Sequence, residues 1–180
     1  MYTKFSSIDP PLAAEYDSVS AQYIQLVPKN VSVLSLLASN ADQIAQLYRS
    51  LEPGQLSHRY AAGKWTMKEV LLHITDDERI YAYRALRFAR GDQQQLHGFD
   101  QNAYIALAET AMRPLENIIA EYQAVRQATL IMYEGFSPAA LQRSGRTNEF
   151  KATVRALLYH IAGHEINHLN IIRERYLGTL

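Results

Sequence analysis

The spacing of histidines in one segment is the strongest sign of chemistry in this sequence. Three of the six histidines lie in YHIAGHEINHL, at His160, His164 and His168. In an α-helix a step of four residues turns each imidazole by only about 40° around the axis, so the three share one stripe. Leu157 and Ile161 fall on the same arc, which predicts that the stripe faces the core. A buried imidazole is costly unless its nitrogens are hydrogen-bonded or bound to a metal.

The segment HEINH (residues 164–168) matches the H-E-x-x-H pattern, in which two imidazoles one turn apart bind one metal ion. Proteases with this pattern need a third protein ligand, usually downstream of the motif. Only twelve residues follow His168, and they contain no histidine and one carboxylate, Glu174. The sequence therefore predicts a metal site that is not a protease site, with its third ligand upstream.

His73 is the candidate for that third ligand. In VLLHITDDERIYAYR it shares a helical face with Val70 and Ile74, so it is also predicted to point into the core. Asp77, one turn further on, lies on the same face. Its functional interpretation is a carboxylate that orients a ligand or serves as a fourth ligand. The alternative is an ion pair with Arg84 or a position on the surface.

Three other residues complete the candidate site, and two further histidines are set aside from it. Glu165 is predicted to accept a histidine N–H or a proton, with a salt bridge to a neighbouring helix as the alternative. His160, about 80° around the helix from His168, and Tyr81 are predicted to line the cofactor pocket, although tyrosine is also common in bundle cores. His58 and His97 fall in loops and receive no role.

The elements that must position these side chains are helices. Apolar periodicity predicts four long helices and one shorter helical piece that follows a capping residue, Asp100. Thr66 and Glu69 have the spacing of a capping box. The stretch 143–151 is the only strand-like candidate, and we interpret it as a loop. The prediction is an all-α four-helix bundle, with long helices at 31–51, 66–90, 114–134 and 153–176 and the short piece at 102–111.

The amino-acid composition favours a single globular domain and excludes several kinds of site. A chain of 180 residues, 48% apolar, predicts a single domain over residues 1–180. The absence of cysteine excludes disulfides, cysteine-ligated zinc and a cysteine nucleophile. No apolar run approaches the roughly 20 residues that span a bilayer, and no apolar leader precedes Pro10. We therefore expect a cytoplasmic protein that does not bind membranes.

Charge argues against nucleic-acid binding. Eighteen Lys and Arg balance eighteen Asp and Glu, whereas nucleic-acid-binding domains usually carry a basic surplus. The run of Arg84, Arg87 and Arg90 is the one local exception, and we interpret it as a solvated helix face. A small-molecule substrate is the expected partner.

Several segments resemble the DinB-like superfamily, which includes the YfiT-type metal-dependent hydrolases and thiol-dependent S-transferases. The resemblance covers about two thirds of the chain, from residue 56 to 176. Its most specific parts are the W-[ST]-x-K-E-V-x-x-H block and the terminal H-E-x-x-H block. The segments are GKWTMKEVLLHITDDERIYAYRALRFARGD, GFDQNAY, RPLENIIAEYQAVRQATL and TVRALLYHIAGHEINHLNIIRERYL.

The resemblance implies a bundle of up-down-down-up topology, with residues 91–113 as the crossover between two parallel helices. It implies a divalent ion held by His73, His164 and His168. Zinc or nickel is the expected ion, with iron or manganese as alternatives, and a low-molecular-weight thiol is a second candidate cofactor. It also implies a homodimer. The first 30 or so residues lie outside the strongest matches and are expected to pack on the bundle as an extension.

The function that follows is that of a metal-dependent enzyme acting on a small molecule. A metal-bound water would serve a hydrolase, and a metal-bound thiol would serve a thiol-dependent S-transferase. The alternative is a non-catalytic module of the stress response that binds a metal or a ligand.

Overall fold

Capping interactions set where the long helices begin. The computed structural model describes residues 7–147 and 150–178. Thr66 accepts a hydrogen bond from the Glu69 amide (3.2 Å), and the Glu69 carboxylate accepts one from the Thr66 amide (2.7 Å), so the predicted capping box is present. Ser32 and Thr153 cap two further helices. The helices are α1 Ser18–Ile24, α2 Val33–Arg49, α3 Pro53–Ser57, α4 Met67–Ala89, α5 Gln101–Leu107, α6 Leu115–Glu134, α7 Pro138–Gln142 and α8 Val154–Ile171.

The four long helices α2, α4, α6 and α8 form the predicted bundle, in which α4 packs against both α6 and α8. A wider π-helical turn, Ile172–Leu177, continues α8, and short 3₁₀ turns lie at Ala13–Glu15 and Thr110–Met112. Asp100 caps α5 through the amides of the first turn. The sequence did not predict α1, α3 or α7, which have five to seven residues each. None of the described helices has the length and apolar character needed to cross a bilayer.

Two core clusters reveal the direction of each helix. The first core cluster includes Leu34 of α2 and Leu157 of α8, and the second includes Tyr48 of α2 and Leu169 of α8. Both helices therefore run from the first cluster to the second.

The helices α4 and α6 run the opposite way. Leu71 and Ile118, near their starts, belong to the second cluster, and Phe88 and Tyr133, near their ends, belong to the first. Because α4 and α6 follow one another and are parallel, the chain between them, residues 90–114, must return along the bundle. This confirms the up-down-down-up order and the crossover.

The loop prediction for residues 143–151 is wrong at 144–146 and at 151, where two short strands form. Strand β1 (Ser144–Arg146) pairs antiparallel with β2 (Lys151–Thr153), while residues 148–149 lie outside the described part of the chain. These residues have little intrinsic β-propensity, so the pairing depends on tertiary contacts. Tyr16 bridges to Ala152 on the outer side of β2, and a Cβ at Gly145 would come within 2.1 Å of a ring atom of Phe88.

Helix α1 lies directly on α8 because α8 contains a glycine at the contact. A Cβ at Gly163 would lie 1.9 Å from the backbone oxygen of Tyr23, so no other residue permits this approach. The N-terminal segment is also tied to α8 through Glu15, whose carboxylate accepts hydrogen bonds from Thr153 (2.8 Å) and Arg155 (2.7 Å). Residues 1–6 and 179–180, part of the predicted single domain, lie outside the described residues.

One buried guanidinium occupies the polar layer between the two core clusters. Arg126 of α6 is 1% exposed and donates to both oxygens of Glu78 on α4 (3.0 Å each) and to Glu165 on α8. It also donates to the carbonyl of Leu37 on α2 (2.7 Å). Asn40 of α2 completes the contact with Glu165 (2.8 Å). All four long helices therefore meet at this one side chain, in what we call the Arg126 network.

Replacing Arg126 by methionine is expected to destabilise the fold strongly. The substitution keeps most of the volume but leaves two buried carboxylates with no cation between them, which typically costs about 3–5 kcal/mol. Arg49→Ala is the control, because the Arg49–Glu116 pair is exposed and screened by water. Urea unfolding of both variants provides the comparison. Equal midpoints for Arg126→Met and the native chain would show that the network does not stabilise the fold.

The Glu15–Arg155 contact is expected to give the N-terminal segment an acid-sensitive attachment. Hydrogen bonding from Arg155 holds the pKa of Glu15 at about 2, below its ordinary value of 4.5. A carboxyl whose pKa is lowered by folding stabilises the fold above its unfolded pKa. The contribution of Glu15 should therefore be complete above pH 4.5 and disappear as the pH falls to about 2. The difference in free energy of unfolding between the native chain and Glu15→Gln, measured across this interval, should shrink with acidification. A difference in free energy that stays constant with pH would contradict this prediction.

Candidate metal centre

Three imidazoles converge between α4 and α8. His73 comes from α4, and His164 and His168 come from successive turns of α8. The Nε2 atom of His164 lies 3.0 Å from Nε2 of His73 and 3.1 Å from Nε2 of His168. The ring planes of neighbouring pairs are inclined by 71° to 73°, so the nitrogens face a common point instead of stacking. We call these three residues the histidine cluster.

The separations in the histidine cluster suit nitrogens bound to one ion. Two nitrogens each about 2.1 Å from a metal, at an angle of about 90° to 109°, lie roughly 3.0 to 3.4 Å apart. The observed distances of 3.0 and 3.1 Å fall in this range. Among the described residues, the histidine cluster is the only group of three or more imidazole, thiolate or carboxylate side chains whose ligand atoms lie within 4.8 Å of one another. The geometry therefore fits a divalent ion.

Burial keeps the histidine cluster neutral, which is the protonation state that binds metals. Removal from water lowers the pKa of His73 to about 3 and that of His168 to about 4, and it lowers the pKa of His164 well below its ordinary value. Each of the three rings is therefore neutral near neutral pH, with one of its two nitrogens free of a proton. An ion bound here would keep its full charge, because none of the three ligands is anionic.

Asp77 lies behind His164, on the side away from the common point. One carboxylate oxygen is 3.3 Å from Nδ1 of His164 and 3.8 Å from Nε2 of His160. This oxygen is buried and has no hydrogen-bond partner among the described residues, and burial raises the pKa of Asp77 to about 8. A carboxylate beside the second nitrogen of a ligand histidine is the usual orienting arrangement. Asp77 thus faces the second nitrogen of His164 and is not among the residues whose atoms converge in the histidine cluster.

Arg84 is buried, whereas the sequence pattern placed it on an exposed face of α4. The interpretation of Arg84 as part of a solvated face is wrong, because its side chain is 1% exposed and one guanidinium nitrogen donates to the carbonyl of His97 (3.0 Å). Its guanidinium carbon lies 4.9 Å from the ring centre of Tyr81 and 5.3 Å from that of Phe150. The amphipathic pattern did not predict this burial, because it does not show that aromatic rings, whose faces attract a cation, surround Arg84.

His160 and Tyr81 form a stacked pair beside the histidine cluster. Their ring centres are 3.8 Å apart and their planes differ by 5°. Nδ1 of His160 lies 3.2 Å from the Ser20 hydroxyl, and burial lowers the pKa of His160 to about 3. His160 is thus separate from the cluster, on the Asp77 side of His164.

Glu165 points away from the histidines into the Arg126 network. Its carboxylate accepts hydrogen bonds from Asn40 (2.8 Å), Tyr122 (2.7 Å) and Arg126. It is 1% exposed. These contacts are those of the salt-bridge alternative, and they leave the carboxylate engaged with α2 and α6.

Trp65, the single tryptophan, packs against the histidine cluster, although no sequence pattern assigned it a role. Its ring centre is 4.5 Å from that of His73 and 6.5 Å from that of His168. Trp65 and His168 line one cavity of about 240 Å³, together with Tyr60, Lys64 and other residues of the loop before α4, the start of α5 and the end of α8. The one sequence signal for its position beside the histidines was that Trp65 belongs to the same W-[ST]-x-K-E-V-x-x-H block as His73.

Comparison with known proteins adds three findings. A family model of the DinB superfamily matches residues 36–172. YfiT from Bacillus subtilis, described as a probable metal-dependent hydrolase with an unusual four-helix bundle topology, superposes with a TM-score of 0.74 at 16% identity, covering 82% of this chain and 90% of YfiT. A mycothiol-dependent maleylpyruvate isomerase superposes with a TM-score of 0.61 at 12% identity, covering 81% of this chain and 61% of the isomerase.

No curated protein sequence matches the chain at a significant level. At 12% and 16% identity, the two structural likenesses establish the fold and leave the reaction open. The family model, in contrast, spans both histidine-bearing helices and most of the bundle. This chain belongs to the DinB superfamily.

Proposed function

We propose that this protein is a metal-dependent enzyme that acts on a small molecule at a divalent ion held by His73, His164 and His168. The observation that carries the proposal is the convergence of three Nε2 atoms, in which those of His73 and His168 lie 3.0 and 3.1 Å from that of His164. Three protein ligands leave coordination positions open, as in catalytic sites. Zinc or nickel is the ion we propose, since imidazole suits both.

Each residue around the site has a separate task in this proposal. Such an ion supplies either a bound water with a pKa of about 7 or a deprotonated thiol. Asp77 orients His164 through its second nitrogen. Trp65, whose ring is tilted by 45° to that of His73 and by 27° to that of His168, shields the site from bulk water and forms a wall for the substrate. Glu165 is occupied by the Arg126 network, so in this proposal it positions α8 and is not the base.

The reaction we favour is hydrolysis or thiol-dependent transfer. The first is supported by the likeness to YfiT and the second by the likeness to the mycothiol-dependent isomerase. Because the chain contains no cysteine, a reactive thiol would have to come from a separate molecule. The implied homodimer stays a prediction. A fourth protein ligand would favour the non-catalytic alternative, and the cluster found among the described residues has three.

Single substitutions are expected to separate the proposed ligands from their neighbour. Alanine at His73, His164 or His168 should each lower the affinity for zinc strongly, because one of three ligands is lost. His160→Ala should weaken binding by about 10- to 100-fold, the usual effect of groups behind the ligands. Fluorescence of Trp65, 4.5 Å from His73, reports the titration directly. Cobalt spectra and metal analysis provide independent measures.

His97→Ala serves as the matched control, since His97 lies in the crossover and outside the histidine cluster. It should bind zinc like the native chain. Retained binding in His73→Ala together with lost binding in His160→Ala would place the ion on α8 alone and contradict the ligand assignment.

Removing the metal is expected to leave the fold intact. The two core clusters and the Arg126 network do not involve the histidine cluster, and a chain of 180 residues buries a large core without a metal. Far-UV circular dichroism with excess EDTA at 25 °C should therefore match that of the zinc-loaded protein. Cooperative loss of helix would instead identify a structural metal.

A further inference from the structure

A second cavity lies at the crossover, away from the histidine cluster. It has a volume of about 420 Å³ and is bounded by the short helix α3, the first turn of α4 and the chain that leads into α6. One part of its wall is apolar, from Leu56, Leu115 and two prolines, Pro53 and Pro114. None of the three residues of the histidine cluster lines it.

The polar part of this wall carries excess positive charge. Arg59, Lys68 and Arg113 line the cavity with a single carboxylate, Glu69. Arg59 pairs with Glu69 (2.8 Å), and Arg113 pairs with Glu121, outside the cavity wall.

Lys68 differs from the two arginines, because it has no carboxylate partner among the described residues. Its ammonium donates to the carbonyl of Arg113 (2.6 Å), which uses one of its three protons. Burial and the charge of Arg113 lower the pKa of Lys68. This ammonium thus has two donors left in a wall that contains two further cations.

An unsatisfied hydroxyl provides an independent observation at the same place. Thr110 is 4% exposed, and its Oγ1 atom has no hydrogen-bond partner within residues 7–147 and 150–178. The same residue lines the adjoining cavity of about 560 Å³, which reaches Trp65. Buried polar atoms are normally paired, so a lone buried hydroxyl on a cavity wall indicates a group that a ligand completes.

We propose that this cavity binds a small organic oxyanion, with a doubly charged group such as a phosphate attached to an apolar body. Lys68 and Arg59 would supply charge, Thr110 would supply a hydrogen bond, and the Leu56–Leu115 wall would hold the body. A free inorganic ion would leave most of the volume and the apolar wall without contacts. The proposal does not depend on the metal centre.

The direct test is calorimetric titration with phenylphosphonate, whose phosphorus–carbon bond resists hydrolysis, beside benzyl alcohol as a neutral probe and inorganic phosphate. Phenylphosphonate should bind at least about tenfold more tightly than either. Lys68→Gln keeps a donor for the Arg113 carbonyl but removes the charge, and it should weaken binding by about tenfold. Thr110→Val preserves shape and should weaken it by about fivefold.

Two matched variants keep the outcome interpretable. Lys64→Gln removes a lysine that lines the cavity beside His168, and it should change the affinity by about twofold or less. His164→Ala removes a proposed metal ligand and should leave binding unchanged. Thermal melting without probe checks folding, and Thr110→Val should melt no lower than the native chain, since a methyl replaces an unpaired hydroxyl.

Equal affinity for phenylphosphonate and benzyl alcohol would overturn the proposal. So would loss of binding in His164→Ala with no change in Lys68→Gln and Thr110→Val, because the anion would then bind at the metal centre. Either result would leave the proposed metal ligands untouched, since zinc binding is measured separately.

Discussion

The buried charge of Arg126 constrains the arrangement of every long helix. A guanidinium removed from water is stable only when anions and carbonyls surround it, and here the partners come from α2, α4 and α8. Glu78 is five residues after His73, and Glu165 is the neighbour of His164. By contacting both carboxylates, Arg126 fixes the position of α4 along α8 and thereby the meeting of His73 with His164. We infer that this network sets the register of the histidine cluster.

Removal from water affects the histidine cluster and the carboxylates of the Arg126 network in opposite ways. Burial lowers the pKa values of the three rings of the histidine cluster and keeps them neutral near neutral pH. Glu78 and Glu165 face a permanent cation and stay paired. The same low-polarity interior therefore prepares one group of side chains to accept a metal and holds the other in a closed set of hydrogen bonds.

Features encoded by local spacing could be predicted from the sequence. The capping box at Thr66, the cap at Asp100 and the periodicity of α4 and α8 depend on residues three to four positions apart, and each agrees with the structure. The meeting of His73 with His164 was predictable because both had to face one core. The family resemblance supplied the helix order, which periodicity alone does not determine.

What could not be predicted depends on contacts between distant residues. Pairing of β1 with β2 depends on Tyr16 and on the small size of Gly145 beside Phe88. The burial of Arg84 depends on aromatic rings from three segments of the chain. Arg126 carried no local signal at all, because a lone arginine in an amphipathic helix is usually exposed.

The H-E-x-x-H segment shows why a motif must be interpreted through its surroundings. Adjacent helical residues point about 100° apart, so Glu165 does not share the stripe of His164 and His168. In a metalloprotease the glutamate works as a base beside the metal, which requires a free carboxylate oxygen. Here hydrogen bonds from Asn40, Tyr122 and Arg126 engage both oxygens. Releasing Glu165 toward the histidines would leave the Arg126 guanidinium short of a partner in the core. The two histidines are therefore available for a metal, whereas the glutamate between them belongs to the structure that holds the helices together.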